Sequence, residues 1–185
     1  MGTGKNRWSK NESGVGVGLP TEPARTGHTA HARIQERYQM LADDLKQLLA
    51  SSFAFYLKAK NFHWNVEGPD FSEYHVFFDT LAQEVFESTD ATAEYIRVLD
   101  VYAPGSLLRY QELSVIQDQV KIPRAELMFE ELKTDNEKLL ALIGTAIASA
   151  KAENQEGILN FLAERQDAHG KHNWMLRSFL KKARA

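Results

Sequence analysis

This sequence predicts an all-α protein: four main helices packed as a bundle, with one long connection in the middle. Two observations carry that expectation. Four stretches place apolar residues three or four apart, the spacing that lines one face of a helix, and no β-rich, strictly alternating segment competes. The breakers Gly68-Pro69, Pro104-Gly105 and Pro123 fall between those stretches rather than inside them.

The first helix is expected over about 29–65, with Ile34, Tyr38, Leu41, Leu45, Leu48, Ser52 and Tyr56 stepping along its buried face. Gly68-Pro69 ends it, and Asp70 with Glu73 has the pattern of a capping box that starts the second helix. That helix carries Tyr74, Phe78, Leu81, Val85, Thr89, Thr92, Ile96 and Leu99, and stops before Pro104-Gly105. A short helix over Leu107 to Ile116 fits inside the long crossover that follows. Pro123 suits the first turn of the third main helix, striped by Met128, Leu132, Leu139, Ile143 and Ile147. Asn154 is the expected N-cap of the fourth, striped by Ile158, Leu162, His169, Leu176 and Phe179. Packing such helices side by side gives a bundle.

The chain has 185 residues, enough for one domain with a sizeable core and short for two. Hydrophobic residues make up 43% and charged residues 25%, a globular balance. No apolar run approaches the roughly 20 residues of a membrane span, and no apolar stretch near the start marks a signal peptide. Cysteine is absent, which removes disulfides, thiolate metal sites and thiol catalysis, and makes the cytoplasm the default address. With 22 basic and 25 acidic residues the net charge is −3, so any nucleic-acid binding must live in a local patch.

Residues 1–27 stand apart. They hold six of the eleven glycines, with few apolar residues, and read as a flexible basic arm ahead of a bundle over 28–185. Lys5, Arg7, Lys10 and Arg25 against Glu12 and Glu22 leave it at +2, and the remainder of the chain at −5. The glycines of Gly2-Thr3-Gly4-Lys5 and of Gly14, Gly16 and Gly18 have no preceding strand, so neither run is a phosphate-binding loop.

Bundles hold metals with Glu, Asp and His on facing helices, often as Glu-x-x-His pairs that keep two irons within one chain. No such pair occurs here: Glu73-Tyr74-His75 has the wrong spacing, and neither His169 nor His172 has a Glu three residues before it. The chemistry-bearing residues cluster instead between 63 and 94. His63, near the end of the first helix, and His75, near the start of the second, can meet across the short turn. His75 and Asp79 are i, i+4, as are Asp90 and Glu94. At about 100° per residue the step from Asp79 to Asp90 returns to within roughly 20° of the same face. Yet the two pairs lie about 22 Å apart along one helix axis, too far for a single ion. Either they are unrelated surface features, or a second copy of the chain supplies the missing half. His169 falls on the core stripe and reads as a packed, hydrogen-bonded histidine. His172, near Asp167 and Glu164, reads as surface polarity, with a weak accessory metal site as the alternative.

The run Asn61-Phe62-His63-Trp64-Asn65-Val66-Glu67-Gly68-Pro69-Asp70-Phe71, followed by His75, Asp79, Asp90 and Glu94, resembles the signature of the Dps family, the DNA-binding proteins from starved cells or mini-ferritins. The resemblance covers about residues 29–182 and implies a ferritin-like four-helix bundle with a short helix in the crossover. It implies a homododecameric hollow shell that oxidises Fe²⁺ to Fe³⁺, preferably with H₂O₂ rather than O₂, stores the ferric product, and protects DNA from oxidative damage. The implied ferroxidase ligands are His63, His75, Asp79, Asp90 and Glu94, shared between two subunits across a two-fold interface. Trp64 corresponds to a residue that takes up stray oxidising equivalents. Imidazole and carboxylate suit iron, and would also accept Zn²⁺ or Co²⁺. No organic cofactor and no membrane partner are implied.

DNA contact is expected through the basic termini: Lys5, Arg7, Lys10 and Arg25 in the arm, and Lys181, Lys182 and Arg184 at the other end, with Arg177 nearby. Small patches repeated over a shell gain avidity, and such binding would be salt-sensitive. The address implied is cytoplasmic, extending to the nucleoid. The alternative function is a nucleoid-compacting DNA-binding protein whose metal site is vestigial or structural. Asp135, Glu153 and Glu156 are acidic candidates for iron entry, with nothing to choose among them.

Overall fold

Five helices account for most of the chain: α1 (Ala30–Asn65), α2 (Phe71–Val98), α3 (Leu107–Leu113), α4 (Ala125–Ala152) and α5 (Glu156–Phe179). The structure, a computed structural model, describes the backbone of residues 30–181 and the side chains of residues 38–181. The arm residues Lys5, Arg7, Lys10 and Arg25, and Lys182 and Arg184 at the other end, lie outside them. Lys181 is exposed just past α5. Among the described residues there is no strand, and no helix is long and apolar enough to cross a membrane.

The expected stripes are the core. Leu41, Leu45 and Leu48 of α1, Phe78, Leu81, Val85 and Ile96 of α2, Met128, Leu132, Leu139 and Ile143 of α4, and Ile158, Leu162 and Leu176 of α5 are all buried together. Phe55 and Phe62 join them from α1, each large side chain contributing about 1.5–3 kcal/mol by leaving water. α1 packs along α2 and α4 along α5. The two hairpins meet mainly through α1 and α4, while α2 and α5 touch sparingly. Rings fill one end of the α2–α5 seam: Phe77 lies 4.6 Å from Phe179, and Phe129 of α4 stacks on Phe179 at 4.6 Å.

The crossover runs back along the bundle and is tied down at several points. The Val115 amide donates to Ser51 Oγ at 3.2 Å, Asn61 Nδ2 donates to the Gln119 carbonyl at 3.2 Å, and Gln119 Nε2 donates to Glu131 Oε1 at 2.7 Å. These bonds fix the loop beside the α1–α2 turn, where the histidines sit. The short helix ends at Leu113, before the expected Ile116, because Ser114 turns extended (ψ 137°).

Helix ends depart from the sequence expectation in three further places. Asp70 is the N-cap of α2, but its ψ of 22° is not the extended geometry that aims a cap side chain at the first amides, and it caps none of them. Its carboxylate instead accepts from Tyr74 Oη at 3.3 Å. Pro123 precedes the N-cap Arg124 rather than opening α4. Asn154 does not start α5; it finishes α4. Its φ of 54° is left-handed, its amide donates to the Lys151 carbonyl at 3.2 Å, and the Gln155 amide donates to the Ala150 carbonyl at 2.9 Å. That is a Schellman motif, with asparagine where glycine is commonest. Asp100 plays the same part after α2, at φ 62°, with amide bonds to Arg97 and from Val101 to Ile96.

Candidate metal centre

His63 leaves the last turn of α1 and His75 the first turns of α2, and the tight link between them sets the two rings face to face. Gly68 makes the link possible: its φ of +124° is strained for any residue with a Cβ. The ring centroids are 3.8 Å apart and the planes 25° from parallel. Each ring is locked by the other residue's backbone. His63 Nδ1 lies 2.8 Å from the His75 carbonyl oxygen, and His75 Nδ1 lies 2.8 Å from the His63 carbonyl oxygen. A carbonyl only accepts, so both Nδ1 atoms carry the proton. Both Nε2 atoms are left with bare lone pairs, the tautomer and orientation of metal-ligating histidines.

Asp79, one helical turn beyond His75, completes the cluster. Its Oδ1 lies 3.9 Å from His63 Nε2. Lys60, three residues before His63, reaches across and donates to the same Oδ1 at 2.6 Å. That hydrogen bond, against partial desolvation and aided by the facing His63 and His75 rings and the Lys60 charge, holds the Asp79 carboxyl below the usual carboxylate range. Lys60 Nζ also stands 5.8 Å from the centroid of the Trp64 ring, which is largely exposed beside His63. Lys60 was not among the residues picked out from the sequence. Its signal was its position, at i−3 from His63 and i−4 from Trp64, on the face that both share.

Asp90 and Glu94 do not join this group. Both are exposed on α2, which runs unbroken from Phe71 to Val98, so the separation of about 22 Å stands. Among the described residues no three His, Asp or Glu side chains form a group able to hold a metal ion. One chain therefore offers two imidazole nitrogens and a lysine-paired carboxylate at one end of α2, and two solvated carboxylates further along.

The other expectations divide. His169 is buried in the core and hydrogen-bonded, with Nδ1 2.7 Å from Asn136 Oδ1, and Asn136 Nδ2 donating to the His169 carbonyl at 2.9 Å. Burial, with His172 and Arg165 adding to it, pushes its imidazole down to about 3. His172 is not surface polarity, and Asp167 and Glu164 are not its partners. It is buried, with Nε2 2.9 Å from Glu84 Oε2 across the α2–α5 seam, because α5 turns it inward towards α2. Asp135 is withdrawn as an iron-entry candidate: it is buried, with Lys58 Nζ at 2.5 Å and Lys138 Nζ at 2.7 Å. Two ammonium groups already satisfy its charge.

Comparison with known proteins agrees with this architecture. A family model described as a ferritin-like domain matches residues 42–185. The DNA protection during starvation protein 2 of Bacillus anthracis is 31% identical over 136 residues, 74% of this chain and 93% of that one. The crystal structure of Dps from Staphylococcus aureus superposes with a TM-score of 0.76 at 32% identity, covering 78% of this chain and 97% of that one. A Dps protein from Vibrio cholerae, described as a member of a broad superfamily of ferritin-like diiron-carboxylate proteins, gives a TM-score of 0.76 at 25% identity, covering 80% and 92%.

Proposed function

The chain belongs to the ferritin-like family, in its Dps branch, and from that premise we propose that it oxidises Fe²⁺ at a site completed by a second subunit. Membership supports a mini-ferritin role in iron storage. The observation that carries the finer reading is the half-site itself. His63 and His75 are held with free Nε2 lone pairs beside Asp79, while the further carboxylates needed to balance a divalent ion lie about 22 Å away along α2.

In this reading a two-fold axis passes near Glu84 and Val85, the middle of the 75–94 segment. It sets two α2 helices antiparallel, so that Asp90 and Glu94 of the partner subunit reach the His63, His75 and Asp79 group. The arrangement is isologous and makes two identical sites per dimer. The mixed nitrogen and oxygen donors accept Fe²⁺ and its harder Fe³⁺ product, and bind Zn²⁺ or Co²⁺ in its place. Iron is the substrate. Two Fe²⁺ give one electron each to H₂O₂, which with two protons becomes two waters and two Fe³⁺. Peroxide is thereby consumed without releasing hydroxyl radical, and the ferric product is kept inside a twelve-subunit shell. The basic termini supply contact with DNA, which the shell shields in the cytoplasm.

The test is a single cuvette: Fe²⁺ added anaerobically, then H₂O₂, with the ferric absorbance followed. The reading expects a prompt rise at about one peroxide per two irons, lost in His63→Ala/His75→Ala. A wild-type rate no faster than iron alone would reject it.

A further inference from the structure

Lys60 has two groups within reach and one charge to give. Its ammonium is 2.6 Å from Asp79 Oδ1 and 5.8 Å from the Trp64 ring centroid, inside the range at which a cation is attracted by an aromatic face. Lys60 and Trp64 are i, i+4 on α1, so the side chain needs only a rotamer change to move from one to the other. Lys60 is not itself a metal ligand. A divalent ion at Asp79 Oδ1 and an ammonium at 2.6 Å from the same oxygen are like charges in contact, and they repel each other.

We propose that Lys60 is a charge switch: it pairs with Asp79 in the empty site and is displaced onto the Trp64 indole when metal takes Asp79, making that indole harder to oxidise while iron is present. The inference rests on the reading of His63, His75 and Asp79 as ligands, and adds a regulation of that site.

The electron count gives the switch a purpose. With two Fe²⁺ available, peroxide draws both its electrons from iron. With one, the second electron must come from the protein. In a chain without cysteine, the indole beside His63 is an easily oxidised group next to the site. It would lose one electron to become a radical cation and then release its N–H proton to water, while peroxide and two protons still end as two waters. A full positive charge over the ring opposes formation of that radical cation. In the empty site the Asp79 carboxylate cancels the ammonium and the opposition is weak. Metal removes the cancelling charge. Loading therefore directs oxidation to iron and away from the protein.

The experiment uses the full chain in a Trp8→Phe/Trp174→Phe background, so that Trp64 alone reports. Zn²⁺, which is redox-inert, is titrated under calorimetry and fluorescence. The proposal expects Zn²⁺ binding to quench Trp64 as the ammonium arrives. Lys60→Met should bind Zn²⁺ at least as tightly with the quenching lost, and Lys60→Arg should keep the response. Fe²⁺ and H₂O₂ at two to one, followed by peptide mass spectrometry, should then show about two- to fivefold more oxidised Trp64 in Lys60→Met than in wild type or Lys60→Arg at matched metal loading. Equal quenching and equal Trp64 oxidation in Lys60→Met would overturn the switch and leave the metal site standing. Failure of Zn²⁺ to bind wild type, or Zn²⁺ binding unchanged by His63→Ala/His75→Ala, would overturn both.

Discussion

Acid should weaken this bundle through one histidine, and the size of the effect follows from its surroundings. His169 is 2% exposed, donates through Nδ1–H to Asn136, and packs edge-on against Phe55. Burial lowers its pKa from 6.5 to about 3. Below pH 6.5 the unfolded chain takes up a proton that the folded chain refuses until about pH 3, so stability is present above 6.5 and drains away as pH falls through that window. At 1.36 kcal/mol per unit, the 1.5 units down to pH 5 cost about 2 kcal/mol and the whole window about 5 kcal/mol per subunit. His172 adds in the same direction, since burial also pushes it down, opposed by its bond to Glu84. The perturbation is His169→Gln, whose amide can still donate to Asn136 but cannot titrate. The variant should lose about 1–3 kcal/mol at pH 7. The assay is urea unfolding of both proteins between pH 7 and pH 4, at one chain concentration because assembly makes apparent stability concentration-dependent. The stability gap should close by about 2 kcal/mol between pH 7 and pH 5, other titrating groups being common to both. Parallel stability curves across that range would refute the assignment.

Two further outcomes follow from the geometry. Asn154→Gly should stabilise the chain by up to about 1 kcal/mol, and Asn154→Val should destabilise it by about 1–2 kcal/mol, because only the glycine accepts φ 54° without strain; thermal melts decide. Deleting residues 1–27 should leave iron oxidation intact and sharply weaken a low-salt DNA gel shift, whereas an unchanged shift would move DNA contact to Lys181, Lys182 and Arg184.

The fold was legible because its signal is periodic and redundant. Four stripes of three-and-four spacing survive any single misplacement: Thr89 sits half out while Ser88 takes the buried place, and α2 is unaffected. Helix ends carried no such redundancy. Asn154 suits an N-cap and a left-handed C-terminal position equally well by composition, and the backbone bonds of the preceding helix decided for the second. His63, His75 and Asp79 were legible because a short hairpin and one i, i+4 step bring them together. Lys60 was not, since a lysine on a helix is ordinarily solvated and its pairing with Asp79 depends on how two helices are set. His172 and Asp135 share that reason: each is buried by a neighbouring helix whose distance no local pattern encodes, and each is met there by a partner, Glu84 for His172 and Lys58, with Lys138 of its own helix, for Asp135.

Complementation between two dead variants tests the shared site most directly. His63→Ala/His75→Ala and Asp90→Ala/Glu94→Ala should each assemble and each oxidise iron poorly. In a dimer of one chain of each kind, one site has every ligand and the other keeps only Asp79. Shells assembled from mixed, co-expressed chains should therefore regain part of the peroxide-driven oxidation, while mixtures of pre-formed shells stay inactive. Mixed shells of verified composition that remain as slow as either parent would contradict the account and return the ligands to single chains.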